Sequence, residues 1–555
     1  MQKLVECVPN FSEGRNKAVI DAIAREIASV QGVSLLDADP GADTNRTVYT
    51  FVGAPDAVAE AAVKAAKCAY ELIDMAEHSG AHPRMGALDV CPFIPVAGMS
   101  MDECIELAHL VGKRIADELS VPVYLYEYAA TSPYRKSLAN IRVGEYEALP
   151  EKLKKQEWKP DYGPANFVPR WGATVVGARE FLIAYNINLN TRDKKLANDV
   201  ALAIREGGRA ARDENGTIIK DAQGNTVKVP GRLKHVRAIG WYIDAYKCAQ
   251  VSINLTNYRE TPLHAVFETV KEEAEKLGLR VTGSEIVGLV PKTPLVEAGK
   301  YYAALSGKSK GAPELELIQT AIQTLGLSSV ADFDVSKKII EYAVAEPAPL
   351  MSKTVFAFVD EVSADSPAPG GGSVAALAGA LGAALAAMVA NLTVGKKGYE
   401  SVKDELAAMA EEAQSVKDAL EHAVDADTNA FTAVMDALKL PKTTDAEKAF
   451  REQALQNGYK AAAQVPLETA ELCLKALRLA ELAIKGNKNS ITDAGVAGLM
   501  AQAGVQGACY NVLINLGTIT DCGFVQSMKQ KTAEFITEAN ERAGRIHAAV
   551  LQALE

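Results

Sequence analysis

Val374-Ala375-Ala376-Leu377-Ala378-Gly379-Ala380-Leu381-Gly382-Ala383-Ala384-Leu385-Ala386-Ala387-Met388-Val389-Ala390-Asn391-Leu392-Thr393-Val394 decides the architecture. The stretch is almost wholly apolar and close to the ~20 residues that span a bilayer. It is built largely of Ala and Gly, which contribute little transfer energy beside Leu, Ile or Phe. It therefore reads as a helix buried on all sides in a protein core, and no membrane span is expected.

Outward from it toward the C-terminus, no segment after Ser352 alternates convincingly as a strand. Helical runs are expected over Tyr399 to Leu438, Thr444 to Gln464, Pro466 to Ile484, Ile491 to Leu516 and Lys529 to Leu554. Pro441, Pro466, Gly486 and the Gly517 to Gly523 region punctuate them. Residues 351–555 thus read as an all-α bundle, an architecture that holds ligands between facing helices.

Toward the N-terminus the pattern changes. Glu346-Pro347-Ala348-Pro349 is a linker signal inside an expected linker over 331–350. Ahead of it, strand-like and helix-like segments alternate in two rounds, which implies α/β layers. The rounds predict two α/β, sandwich-like α+β subdomains, 1–178 and 179–330. In the second, Val236 to Tyr242 and Ala249 to Leu255 pair as neighbouring strands. Arg212 to Gly231 is polar, with turn signals at Asn215-Gly216 and Gly224-Asn225, and reads as a surface hairpin or mobile loop.

The bulk numbers agree with a multidomain globular chain. The 555 residues predict roughly three or four domains. A net charge of −11 repels phosphate backbones and argues against general nucleic-acid binding. An anionic small ligand remains compatible with it through a local basic pocket. Met1-Gln2-Lys3-Leu4 leads straight into a strand-like run, so no secretory signal is expected. Eight scattered cysteines without CxxC pairs read as reduced thiols of a cytoplasmic protein. The sequence has no HExxH or Cys/His cluster, and no metal is expected.

Several segments carry chemistry-bearing residues. Glu77 to Gly86 holds His78, His82 and Arg84 between a helix and a strand, where loops carry function. His82, between Ala81 and Pro83, is either a turn histidine or a proton carrier. Asp37 to Arg46 gathers Asp37, Asp39, Asp43 and Arg46 at a turn; no Glu at the twelfth position makes it an EF-hand. Gly163-Pro164-Ala165-Asn166-Phe167-Val168-Pro169-Arg170-Trp171-Gly172 joins the two α/β halves, and is either an ordered linker or a stiff platform for a flat ring.

In the helical part, Gly370-Gly371-Gly372-Ser373 precedes the apolar helix. Ser373 is placed to cap it, leaving N–H groups for an anion. Asp425 and Asp427 lie inside a helical run, where Asp is unfavourable. A carboxylate buried there has a raised pKa and exchanges protons. Lys396-Lys397 and Lys485 to Ser490 (with Lys488) form basic loops. Tyr510-Asn511 and Asn515 interrupt another apolar helix.

These pieces, in this order, resemble the bifunctional formimidoyltransferase-cyclodeaminase family. The resemblance rests on Cys7 to Gly14, His82-Pro83-Arg84-Met85-Gly86, Phe167-Val168-Pro169 with Trp171 to Thr174, Phe181 to Ala184, Pro369 to Ser373, Val424 to Asp427 and Asn511 to Leu516. It covers essentially the whole chain, while Arg212 to Gly231 looks longer than in animal members. It implies transfer of the formimidoyl group from N-formimidoyl-L-glutamate to N5 of tetrahydrofolate. N10 then attacks the same carbon, ammonia leaves, and 5,10-methenyltetrahydrofolate forms.

The resemblance further implies His82 as catalytic base, Asp427 as deaminase carboxylate with Asp425 as competitor, and Gly163 to Gly172 as the folate-binding segment. Asp39 is expected to orient a histidine or stabilise the amidine. Arg84 and Arg46 are expected to hold glutamate carboxylates. Gly371, Gly372 and Ser373 are expected at the second site, and Lys488 at a polyglutamate tail. Tetrahydrofolate enters as co-substrate, with no prosthetic group, and ring-like homo-oligomers are implied. A formyl-donor transferase and a non-catalytic folate scaffold are the rival readings.

Overall fold

The computed structural model describes residues 3–344 and 350–555. The linker signal at 346–349 lies outside the described residues. Over its described part, the expected linker carries two short helices, Val335–Lys338 and Ile340–Ala343.

The first sheet contains β1 (Leu4–Cys7), β2 (Asn10–Phe11), β3 (Val33–Gly41), β4 (Arg46–Gly53), β5 (Leu88–Ala97), β6 (Val123–Glu127) and β7 (Thr174–Ala178). β1 and β2 both lie between β4 and β5. β3 pairs with β4, and β7 and β6 extend the sheet beyond β5 in parallel register. The helices α1 (Lys17–Ala28), α2 (Pro55–Leu72) and α3 (Met101–Leu119) share one core with this sheet. Their apolar residues recur at helical spacing, as Val58, Ala62, Ala65, Ala66 and Ala69 do in α2. Phe11, Phe51 and Phe93 are fully buried, each contributing about 1.5–3 kcal/mol of transfer energy.

A smaller cluster joins Met85, Val90, Tyr124 and Tyr126 to Ile141 and Leu149, which come from α4 (Leu138–Arg142) and α5 (Leu149–Lys152). This packing carries Arg142 to the loop between α2 and β5.

The second sheet has β8 (Ile183–Leu189), β11 (Val236–Ile243), β12 (Cys248–Leu255) and β13 (Val281–Val287) in the order β11-β12-β8-β13, all antiparallel. α6 (Lys194–Ile204) and α7 (Leu263–Lys276) pack with it. β9 (Arg209–Ala210) and β10 (Lys228–Val229) open an exposed hairpin over the polar segment. Asp213 and Asp221 fold its two turns by accepting backbone N–H groups of Asn215, Thr217, Gln223 and Asn225.

Residues 295–324, which include α9 (Glu314–Leu325) up to Thr324 and most of α8 (Lys292–Leu305), group with the helical unit, and 325–344 with the strands. The two short helices at 335–343 are α10 and α11. The C-terminal unit follows as α12 (Val355–Val362), α13 (Gly371–Val394), α14 (Lys403–Leu438), α15 (Asp445–Ala483), α16 (Ile491–Asn515) and α17 (Cys522–Leu554).

Two expectations are corrected here. Pro466 does not end a helix: α15 runs through it. Proline has no N–H for the carbonyl four residues back, which is Ala462, and the Asn515 side-chain amide donates to that oxygen at 2.6 Å instead. Nor is α13 buried on all sides. Its Gly and Ala positions pack against α14, α15 and α16, while Val374, Leu381, Met388 and Leu392 stay exposed along one stripe. Helices α13 and α16 run antiparallel, since Gly371 meets Asn511 while Gly382 meets Ala497 and Ala501.

Candidate active sites

The loop from Glu77 to Gly86 is held against the β3–β4 turn by Asn45. Asn45 takes a left-handed conformation, φ 47°. Its side chain accepts from Gly14 N at 3.0 Å and donates to Ser79 O at 3.0 Å. His78 donates through Nε2 to Asn45 O at 2.8 Å and accepts from Arg84 Nε at 3.4 Å, so it is a structural histidine. Gly80 lets the backbones touch: a Cβ there lies 2.2 Å from Thr44 O.

This docking brings His82 Nε2 to 2.8 Å from Arg46 Nη1. A guanidinium only donates, so Nε2 accepts and the ring proton sits on Nδ1, an assignment from the bonding partners. Nδ1 is buried and makes no hydrogen bond of good geometry, the Pro83 carbonyl being the backbone group that acts on the ring. Burial, then Arg46 and Arg142, hold His82 below its ordinary pKa against the pull of Asp89. The imidazole is neutral at pH 7, the state a general base needs.

Asp89 is 1% exposed, accepts from Met85 N at 2.7 Å and pairs with Arg142. Burial raises its pKa against the Arg142 charge. Lys152 fixes Arg142 from behind, donating to Ile141 O at 2.8 Å and Val143 O at 2.6 Å, the carbonyls on either side of it. Beside them opens a cavity of about 540 Å³. Arg46, Lys136, Arg142, Arg179 and Arg237 line it, with Glu127 as the one lining carboxylate. Such a wall attracts carboxylates. Glu6, nearly buried on β1, is pushed by burial up to about 7 against Arg179.

Other sequence-derived site residues fall elsewhere. Asp39 is exposed on β3 and its charge acts on Arg46; the carboxylate whose charge acts on His82 is Asp89. Arg84 pairs with Glu145 at 3.2 Å and Glu147 at 2.7 Å, so its guanidinium has protein partners already. None of residues 163–172 lines the basic cavity. Trp171 is fully buried, donates to Thr174 Oγ1 at 3.0 Å and packs on the Tyr70 ring with centroids 5.6 Å apart, so its indole belongs to the core. Tyr146 OH donates to Pro169 O at 2.6 Å, and Gly172 pairs with Gly86, so the segment braces the His82 loop. Gly163, Ala165, Asn166 and Arg170 are exposed. Phe167 packs on Tyr146, and Pro164 and Val168 are half-buried.

In the helical unit the two aspartates separate. Asp425 accepts from Leu350 N at 2.9 Å and ties down the start of the unit. Asp427 accepts from Ser373 N at 3.0 Å and lies at 3.4 Å from Ser373 Oγ. Ser373 does not cap α13. The N-cap is Gly370, the Ser373 hydroxyl donates to Val424 O, and Asp427 supplies the cap from α14. The N–H expected to meet an external anion thus meets Asp427. A Cβ on Gly372 lies 2.1 Å from Asp427 Oδ1, and one on Gly371 lies 3.2 Å from Asn511 Nδ2. Burial raises the Asp427 pKa against the bonds from Ser373.

The Lys488 loop lies at the other end of α13, because Lys396, just past Val394, donates to Asn487 Oδ1 at 2.6 Å. At ~1.5 Å per residue that is roughly 35 Å from Asp427. The eight cysteines are free. Among the described residues, no group of three or more His, Cys, Asp or Glu is placed to hold a metal ion.

Sequence reasoning missed Asp89, Arg142, Glu6 and Lys152. For two of them a signal existed: Glu6 and Asp89 are lone carboxylates inside apolar strands, Val5-Glu6-Cys7 and Leu88-Asp89-Val90.

The model of the N-terminal subdomain of the formiminotransferase domain matches residues 4–179, that of the formiminotransferase domain 184–345, and that of formiminotransferase-cyclodeaminase 354–534. The chain is 48% identical to the formimidoyltransferase-cyclodeaminase of Mus musculus over 559 residues, covering 100% of this chain and 99% of that protein. Identity to the glutamate formimidoyltransferase of Streptococcus pyogenes is 43% over 302 residues, 54% of this chain and 94% of that protein. Identity to the methenyltetrahydrofolate cyclohydrolase of Methylorubrum extorquens is 40% over 200 residues, 36% of this chain and 96% of that protein. Matched along its whole length, with a neutral histidine beside a basic cavity in one unit and a buried carboxyl at a helix N-terminus in the other, the chain belongs to the formimidoyltransferase-cyclodeaminase family.

Proposed function

We infer that the chain is a bifunctional enzyme that transfers the formimidoyl group of N-formimidoyl-L-glutamate to N5 of tetrahydrofolate and then closes the product to 5,10-methenyltetrahydrofolate with loss of ammonia. The observation that carries the first half is the neutral His82 next to a cavity lined by five cationic side chains. Arg46, Arg179 and Arg237 hold the donor's carboxylates there. N5 attacks the amidine carbon and His82 Nε2 takes its proton. The tetrahedral adduct collapses as the imidazolium returns that proton to the departing glutamate nitrogen. Asp89 steadies the imidazolium through its charge.

In the second half Asp427 carries the protons. As its acid form it protonates the departing nitrogen. As carboxylate it takes the proton from N10 once N10 has bonded to the same carbon. Its raised pKa and its place at the glycine turn support this over Asp425, which holds backbone amides. A ring-opening hydrolase on the same helices is the second reading, since a cyclohydrolase is 40% identical over this part. Ammonia release separates the two.

The folate carries a polyglutamyl tail, and Lys396, Lys397 and Lys488 bind its far end; at roughly 35 Å from Asp427, only a tail of several residues reaches them. The protein is cytoplasmic, in keeping with eight free thiols. Copies of the chain associate through the α13 and α16 face. There Val374, Leu381 and Met388 repeat every seven residues beside exposed Val496, Leu499, Tyr510 and Leu513.

The test supplies N-formimidoyl-L-glutamate and tetrahydrofolate together and follows methenyltetrahydrofolate absorbance and ammonia. Both products are expected. A formyl donor in place of the formimidoyl donor is expected to yield no ammonia. Absence of ammonia with the natural donor refutes the second half.

A further inference from the structure

Arg46 holds His82 in a state that cannot act. Its Nη1 donates to His82 Nε2 at 2.8 Å, so the lone pair that must receive a proton is already occupied. The other ring nitrogen carries the ring proton and is buried, with the Pro83 carbonyl the backbone group acting on the ring. The charged groups acting on the ring are Arg46, Arg142 and Asp89. Arg142 is committed to Asp89 and its backbone is gripped by Lys152. Arg46 differs: it is half-buried, its bond to the ring is its one side-chain hydrogen bond among the described residues, and it lines the basic cavity.

We propose that Arg46 is a substrate-operated latch on His82, released when a donor carboxylate enters the cavity and takes the guanidinium. The inference rests on the reading of His82 as the base. The physical ground is a competition for one donor group. A carboxylate pairs with a guanidinium through two charge-assisted bonds, against one bond to a neutral imidazole nitrogen. Asp39 attracts Arg46 from β3 and gives the freed guanidinium a counter-charge. With Nε2 released, the N5 proton passes to it as the N5–carbon bond forms. The same proton goes to the glutamate nitrogen as the carbon–nitrogen bond breaks, so atoms and charge balance without any co-reactant. Arg46 then sets specificity in kcat. A donor without a carboxylate occupies the cavity and leaves the base capped.

The experiment compares N-formimidoyl-L-glutamate with a carboxylate-free donor, N-formimidoylglycinamide, on the full chain. For Arg46→Ala, kcat/KM on the natural donor is expected to fall, while kcat on the carboxylate-free donor rises about tenfold or more, as an uncapped general base allows. If Arg46 only binds carboxylate, the carboxylate-free donor's kcat stays the same or drops, and the latch is overturned. In ¹⁵N-histidine-labelled wild-type protein, saturating L-glutamate is expected to shift the His82 Nε2 resonance from hydrogen-bonded to free at high pH. That measurement needs no folded variant; an unmoved resonance overturns the latch. His82→Ala separates the two ideas. Transfer surviving in it refutes the base itself. Transfer lost in it, with no gain for Arg46→Ala on the carboxylate-free donor, refutes the latch alone.

Discussion

Asn515 donates its side-chain amide to the carbonyl oxygen of Ala462 at 2.6 Å, the acceptor that Pro466 leaves empty one turn later in α15. One helix thus repairs the backbone of another. Asn515→Ala is expected to cost about 1–3 kcal/mol, the penalty of a stranded carbonyl. Adding Pro466→Ala restores the N–H and is expected to recover much of that loss. A double-mutant cycle by urea unfolding checks it, and strict additivity would sink the account.

Gly372 and Asp427 touch so closely that a methyl group cannot fit. Gly372→Ala places Cβ 2.1 Å from Asp427 Oδ1 and is expected to abolish ammonia release while transfer persists. Asp427→Asn keeps an acceptor for Ser373 N but removes the acid, and a loss of roughly 10²-fold or more is expected in the same assay. Asp425→Asn is expected to keep most deaminase activity and to lower stability through the Leu350 contact.

Glu6 makes stability depend on pH. Burial raises its folded pKa from 4.5 to about 7. The raised value means the protonated form is favoured on folding. Its contribution is fully present below about 4.5 and lost as pH rises through about 7. Glu6→Gln is therefore expected to match the wild type near pH 4 and to be more stable by up to roughly 3 kcal/mol at pH 8. Denaturant midpoints at the two pH values check this.

Lys152 holds the carbonyls on both sides of Arg142. Lys152→Met strands both and loosens the Arg142–Asp89 pair. Transfer is expected to drop about tenfold or more through kcat, since misplaced catalytic groups cost that much, while ammonia release from supplied 5-formimidoyltetrahydrofolate is unchanged. Equal losses in both activities would point to global unfolding instead.

Leu381 sits in the middle of the exposed α13 stripe. Leu381→Glu is expected to lower the assembly size in light scattering without changing helix content. An unaltered mass would place any self-association elsewhere.

Much of this was legible along the chain. Periodicity of two against 3.6 separated the strand-bearing half from the helical half, because each element must bury one face. The loop 77–86 and the pair Asp425/Asp427 stood out by residue type against their surroundings. Proline was misread at Pro466, since a side chain on another helix supplied the missing bond. For Trp171 the sequence leaves an ordered linker and a ligand platform both open, since aromatic character alone does not tell core from cleft; the fold buries it.

The sequence by itself determined the two-part architecture and the family, and it singled out His82 and the pair Asp425/Asp427 without choosing between the two aspartates. Tertiary structure alone decided which charges meet. Arg46 reaches His82 across 36 positions, Arg142 reaches Asp89 across 53, and Asp427 reaches Ser373 across 54. Local pattern reports burial through periodicity, but a pKa or a free lone pair depends on neighbours brought by packing. That is why the chain offers a histidine and a pair of aspartates, and only the fold shows His82 bonded to Arg46 and Asp427 capping α13.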